Sequence, residues 1–203
     1  MLICRSQVSI AVVAIFNTKG KALGQHSLST KAIGCCGLIH RNRFIPLLLE
    51  GNDVIGQAQT GTGKTAAFAL PILNKIATNA ESGEKVARGR GQVQALVVCP
   101  TRELANQVTR SFKDFAAFGG VRVLSVYGGQ PYPPQRTALR KGVDVVVGTP
   151  GRLLDLIRRG DLDLSEAHTI ALDEADEMLS MGFVEDIEII LKSFPNEHQT
   201  LLF

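Results

Sequence analysis

From Asp53 onward the chain alternates short runs of β-branched residues with longer segments in which apolar residues recur every three or four positions. The short runs are Asp53 to Gln57, Ala95 to Cys99, Val121 to Val126, Val143 to Val147, His168 to Leu172 and Gln199 to Phe203. Between them, Glu103 to Phe118 carries Leu104, Val108, Phe112 and Phe115 at helical spacing, and Leu153, Leu156 and Ile157 follow the same rule. These apolar positions are assigned to the core. The alternation is that of βα units building a parallel sheet, and it predicts an α/β domain. The Gly-rich, charged stretch Ala80 to Gly91 reads as an exposed loop. No internal repeat is present.

Length and charge narrow this picture. With 203 residues and 45% apolar content there is material for one full α/β domain and an appendage, too little for two complete domains. The net charge of +3 comes from the start of the chain: residues 1 to 49 hold Arg5, Lys19, Lys21, Lys31, Arg41 and Arg43 and no acid. From Glu50 on, 16 basic residues face 19 acidic ones, so bulk charge does not argue for nucleic acid and any such site must be local. Residues 1–40 are set apart as a divergent leader, either a transit peptide or an extension without structure of its own. Residues 41–203 form the domain. The four cysteines, with Cys99 in an apolar run and Cys35 next to Cys36 without spaced partners, favour a reducing compartment, cytoplasmic or organellar, and no zinc site. The longest apolar run near the start, Ile10 to Phe16, is too short to span a bilayer, so no membrane association is expected.

After the first strand comes Ala58-Gln59-Thr60-Gly61-Thr62-Gly63-Lys64-Thr65 and then a helix-compatible run. This matches the phosphate loop of nucleotide-binding proteins with Ala in place of its first Gly. Glycines let main-chain N–H groups curl around phosphates, the helix start adds its positive end, Lys64 reaches the β/γ oxygens and the Thr65 hydroxyl ligates Mg2+. A second strand, Thr169 to Leu172, delivers Asp173-Glu174-Ala175-Asp176 to its C-terminal end, where ligands of parallel sheets gather. There Asp173 would hold the metal and Glu174 would orient the water that attacks the γ-phosphate. Lys64, Asp173 and Glu174 are therefore the candidate catalytic residues.

Together, Ala58 to Thr65 and the Asp-Glu-Ala-Asp tetrad resemble the DEAD-box RNA helicases. Pro100-Thr101-Arg102-Glu103-Leu104-Ala105 is similar to that family's motif Ia, Gly128-Gly129 to its GG doublet, and Thr149-Pro150-Gly151-Arg152 to its motif Ib. The resemblance covers roughly Arg43 to Phe203. It implies the first of two RecA-like domains, a three-layer P-loop NTPase fold with helices on both faces of a mostly parallel sheet. It also implies ATP and Mg2+ as ligands, with Asp176 among the nucleotide-binding residues, and a monomer that grips RNA by its backbone. Pro100, Thr101, Arg102, Gly128, Gly129, Thr149, Pro150, Gly151 and Arg152 would form that grip. Each group follows a strand and is expected to open a helix, whose N-terminal amides can face a phosphate; the two arginines add charge, the threonines add hydroxyls and Gly129 permits close approach.

The sequence departs from the family twice. Where the family has an adenine-reading glutamine, this chain has Arg41, which offers no acceptor, and the upstream aromatic position near Gly24 is unfilled. The chain also ends at Phe203, where the family continues into Ser-Ala-Thr and a second RecA-like domain with arginine fingers. On that basis the fragment is expected to supply half the clamp and to hydrolyse ATP slowly, since missing fingers cost on the order of 10³ to 10⁵ in rate. The alternatives are a DNA translocase, disfavoured by the lack of a DNA-reading module, and a non-catalytic fragment that engages a partner.

Overall fold

The computed structural model describes residues 33–34, 45–57, 64–81, 91–117, 120–195 and 197–203. Residues 1–32 and 35–40 of the leader, Cys4, Cys35 and Cys36 among them, lie outside these, as do Arg41, the loop residues Ala58, Gln59, Thr60, Gly61, Thr62 and Gly63, and residues 82–90 of the expected exposed loop. The elements run β1 (Ile33–Gly34), β2 (Val54–Gln57), α1 (Lys64–Glu81), β3 (Ala95–Val98), α2 (Arg102–Phe115), β4 (Val123–Val126) and α3 (Tyr132–Arg140). They continue with β5 (Val145–Gly148), α4 (Pro150–Arg158), β6 (Thr169–Leu172), α5 (Ala175–Ser180), α6 (Val184–Lys192) and β7 (Gln199–Leu202). A short helix over 45–49 precedes β2. Among the described residues, no helix is long and apolar enough to cross a membrane.

All strand pairs are parallel, in the order β1-β2-β7-β6-β3-β5-β4. All six strands expected from the sequence form: five are shorter than expected by one or two residues, and β5 starts two residues later and ends one residue later, at Gly148. The two-residue β1 was not foreseen, because a pairing that short leaves no periodic trace.

Strand alternation sends successive side chains into two separate cores. Leu96, Val98, Val146, Ile170, Leu172 and Leu202 join the side chains of α3, α4, α5 and α6 on one face. Ala95, Val97, Val145, Val147, Ala171 and Leu201 join those of α1 and α2 on the other, where Phe68 and Phe112 are fully buried. This is the expected three-layer arrangement.

Phe115 is a correction: it is 41% exposed rather than core. The buried stripe of α2 runs through Ala105, Val108, Thr109 and Phe112 and continues to Ala116, which places Phe115 at its margin. Ala and Thr carry little hydrophobic signal, so the stripe's true centre was hidden. Asp144 was also unforeseen as a core residue; fully buried, it accepts from the Arg122 amide at 2.8 Å and the Gln94 side chain at 3.4 Å.

Gly148 ends β5 against its neighbour so closely that an added Cβ would lie 2.5 Å from the Val126 carbonyl oxygen and 2.9 Å from a Leu153 methyl. Main-chain oxygen cannot retreat without breaking the sheet. Gly148→Ala is therefore expected to cost about 3 kcal/mol and lower the melting temperature by roughly 5–10 °C, measured by calorimetry.

Candidate functional site

Sheet register decides where the motifs meet. Ile55 pairs with Leu202, Leu202 with Leu172, Leu172 with Val98, Val98 with Gly148, and Gly148 with Val126. One line thus crosses the sheet just before every motif begins, and the segments that follow leave from the same C-terminal edge. Strand order divides that edge. The segments after β2 and β6, with β7 between them, carry the phosphate loop and the acidic tetrad. Those after β3, β5 and β4 carry Pro100 to Arg102, Thr149 to Arg152 and Gly128-Gly129. β6 and β3 are neighbours, so the acids lie beside motif Ia.

On the first half, Lys64 and Thr65 are the opening residues of α1, both half-buried. The helix is anchored below them by Phe68, whose ring lies 5.2 Å from that of Phe203 and 6.1 Å from that of Phe112. Asp173 is 3% exposed, and its amide donates to the Val98 carbonyl at 2.9 Å. Its Oδ1 is buried without a hydrogen-bond partner. Burial above all, with the Glu174 charge, pushes its carboxyl up to about 6, while the Lys64 ammonium and the Glu174 amide pull the other way. Lys64 and Asp173 are therefore within electrostatic reach of one another. A buried, orphaned carboxylate oxygen within electrostatic reach of a lysine is a hard-oxygen donor that suits Mg2+, and Thr65, next to Lys64 at the start of α1, would add its hydroxyl.

Glu174 has φ 56° and ψ 50°, the only left-handed non-glycine residue among those described. The turn it makes is pinned on both sides. Ala175 donates to the Phe203 carbonyl at 3.1 Å, and Phe203 donates to the Leu172 carbonyl at 3.0 Å. Asp176 stands exposed on the first turn of α5, its carboxylate accepting from the Glu177 amide at 3.0 Å. Beneath the acids lies Cys99, fully buried, its thiol pushed far up by burial first and then by the charges of Asp173 and Glu174.

On the other half, Thr101 caps α2 by accepting from the Leu104 amide at 3.2 Å, a contact worth about 1 kcal/mol. Arg102 lies over the GG doublet: a Cβ on Gly129, where φ is +81°, would sit 2.4 Å from its Nη1. Pro100 and Pro150 are buried, and Pro150 opens α4, where its missing N–H costs nothing. Gly151 faces open space. Thr149 donates its amide to the Val126 carbonyl at 3.2 Å, and its side chain makes no cap bond to α4. Arg152 differs from the rest of its motif: it is 8% exposed and turned inward onto the Gln130 carbonyl and the Gln135 side chain.

Comparison with known proteins shows which family the chain belongs to. The family model for DEAD/DEAH box helicases matches residues 40–203. The chain belongs to the DEAD/DEAH box helicase family. It is 56% identical over 160 residues to the ATP-dependent RNA helicase DeaD of Buchnera aphidicola, covering 78% of this chain and 25% of that protein. It is 57% identical over 161 residues to the DEAD-box ATP-dependent RNA helicase CshA of Geobacillus kaustophilus, covering 79% of this chain and 32% of that protein. The chain thus spans about a quarter to a third of the curated relatives it matches. Among solved structures, a hypothetical ATP-dependent RNA helicase from Sulfolobus tokodaii superposes with a TM-score of 0.70 at 37% identity, over 94% of this chain and 50% of that one. A DEAD box protein from Methanococcus jannaschii gives 0.68 at 39% identity, over 79% and 41%.

Within this DEAD-box domain, sequence reasoning missed Tyr132, Gln130 and Gln135, which surround Arg152, and Phe203, which bridges α1 and the acidic turn. None sits in a motif or at a telling spacing; only the fold brings them to the edge.

Proposed function

We propose that this DEAD-box domain binds ATP with Mg2+ on the β2–β7–β6 half of its sheet edge and the backbone of an RNA strand on the β3–β5–β4 half. In the whole protein, hydrolysis on the first half would drive local strand separation on the second. The observation that carries this is the register line from Ile55 to Val126, which puts both sets of motifs on one edge with the acids next to motif Ia.

Asp173 and Thr65 would hold the metal, which when bound would neutralise charge on the phosphate oxygens. Lys64 contributes a fixed positive charge at the start of α1. Glu174, aimed by its left-handed backbone, would orient the attacking water and accept its proton. RNA recognition through main-chain amides, hydroxyls and Arg102 would be blind to sequence.

Binding of a fluorescent ATP analogue, followed with and without Mg2+, tests the nucleotide half. Mg2+-dependent binding that falls at least tenfold in Lys64→Ala is the expected result; binding indifferent to both metal and Lys64 would overturn it. An RNA oligonucleotide should outcompete DNA of the same sequence for the other half.

A further inference from the structure

We infer that Arg152 and Tyr132 are positioning residues: they lock the GG turn to motif Ib and act on RNA through that turn's main chain instead of touching the strand. This rests on the RNA-binding role proposed above. Gly128-Gly129 is bracketed by two carbonyls, those of Tyr127 and Gln130, and both are held from below. Gln130 O accepts from Nη1 and Nη2 of Arg152, each at 3.1 Å. Tyr127 O accepts from Gln135 Nε2 at 3.3 Å. Gln135, 4% exposed, joins the two, since its Oε1 accepts from Arg152 Nη1 at 2.9 Å.

The lock is closed from outside by Tyr132. The guanidinium carbon of Arg152 lies 4.0 Å from its ring centroid and that of Arg159 4.7 Å, within range of a cation–π contact. The Tyr132 hydroxyl donates to Asp155, which fixes the ring against α4. A guanidinium that is nearly buried, with three hydrogen bonds to protein and a ring against it, has little left for a phosphate. Arg102 is different: it is exposed and lies over Gly129. The turn is thus held by Arg152 at the Gln130 carbonyl and overlaid by Arg102 at Gly129. A glycine pair would otherwise sample many conformations, and fixing it in advance removes an entropic cost from RNA binding.

Salt dependence separates positioning from contact. A residue that neutralises a phosphate releases counterions, so removing it lowers the slope of log affinity against log salt by about 0.7 for a single strand. Binding of a fluorescent oligouridylate to the chain, with Mg2+ and a non-hydrolysable ATP analogue, would be titrated across salt for wild type, Arg102→Ala, Arg152→Ala, Arg152→Lys and Tyr132→Leu.

Arg152→Ala and Tyr132→Leu are expected to weaken binding about tenfold or more with the slope unchanged, while Arg102→Ala reduces the slope. Arg152→Lys, which keeps charge but not the fork, should fail to rescue. Arg152→Ala combined with Gln135→Ala should be no worse than either alone. A slope lowered by Arg152→Ala, or rescue by Lys, would overturn the inference in favour of direct contact. Hydrogen exchange without RNA gives a second arm: Arg152→Ala should speed exchange over residues 127–135 and leave α1 and α2 unchanged, and unchanged exchange there would also overturn it. If wild type shows the lock by exchange yet binds no RNA, the proposed function fails and the lock stands.

Discussion

Asp173→Asn is expected to make the metal-free protein more stable while abolishing its Mg2+-dependent nucleotide binding. The wild-type carboxyl is pushed up to about 6, chiefly by burial, from an ordinary value of 3.8. Between those two pH values the folded chain holds a proton that the unfolded chain has released, so stability falls as pH rises through that window. Above it the folded state carries the net cost of the buried charge, after the attraction of Lys64 and the Glu174 amide, roughly 3 kcal/mol. Asparagine is neutral at every pH, so in EDTA at pH 7.5 the variant should melt roughly 5–10 °C above wild type. The gap should close as pH is lowered towards 4. His168, whose ring burial and the nearby Lys75 pull down to about 4, works in the opposite sense: its stability contribution is full above about 6.5 and is lost as pH falls through 4. It titrates in both proteins and cancels from their difference. Equal melting at pH 7.5 would show that the carboxylate is not isolated from solvent or cations as the buried Oδ1 indicates. Stability given up at a site and recovered on binding a cation is the sign of a group retained for function.

How much of this was legible in the sequence depends on whether a feature is written locally. The six strands, the helices α1, α2 and α4 and the placement of Asp173 at a strand end followed from periodicity and turn residues, because each is decided within about ten residues. Phe115 failed for the same reason that Val108 and Phe112 succeeded: spacing marks a stripe, but Ala105 and Thr109, which carry its centre, are quiet in any hydrophobicity pattern. Arg152 was legible as part of Thr-Pro-Gly-Arg and not as a side chain turned inward. Its direction is set by Gln135 and Tyr132, seventeen and twenty residues earlier, and by the packing of α3 against α4 that no local rule reports. The strand order that puts the acids beside motif Ia was likewise invisible, since parallel crossovers say that strands pair without saying which ones.

The acidic turn shows how the two halves of the edge are tied mechanically. Asp173 hangs from Val98 at the end of β3, four residues before Arg102, while Ala175 hangs from Phe203, whose ring rests on Phe68 in the helix that begins with Lys64. A displacement of α1 on nucleotide binding would therefore reach the turn through Phe203, and a displacement of motif Ia would reach it through Val98. Glu174 stands between these two attachments in a backbone conformation that costs a non-glycine residue about 1 kcal/mol or more.

That strain separates two substitutions of Glu174. Glu174→Gln keeps a side chain and the strained backbone but removes the proton acceptor. In the full-length protein, single-turnover ATP hydrolysis with saturating RNA should fall by about 10² to 10⁴, with the affinity for the Mg2+-nucleotide unchanged. Glu174→Gly removes both, so hydrolysis should fall as far while the fold gains about 1 kcal/mol, because glycine adopts φ near +56° without a clashing Cβ. The two variants should thus match in rate and differ in melting temperature, with the glycine variant higher. If Gln retained hydrolysis within a few fold of wild type, the base would lie elsewhere. If Gly melted below Gln, the left-handed turn would be held by contacts of the side chain, and the backbone would not be the strained member of the pair.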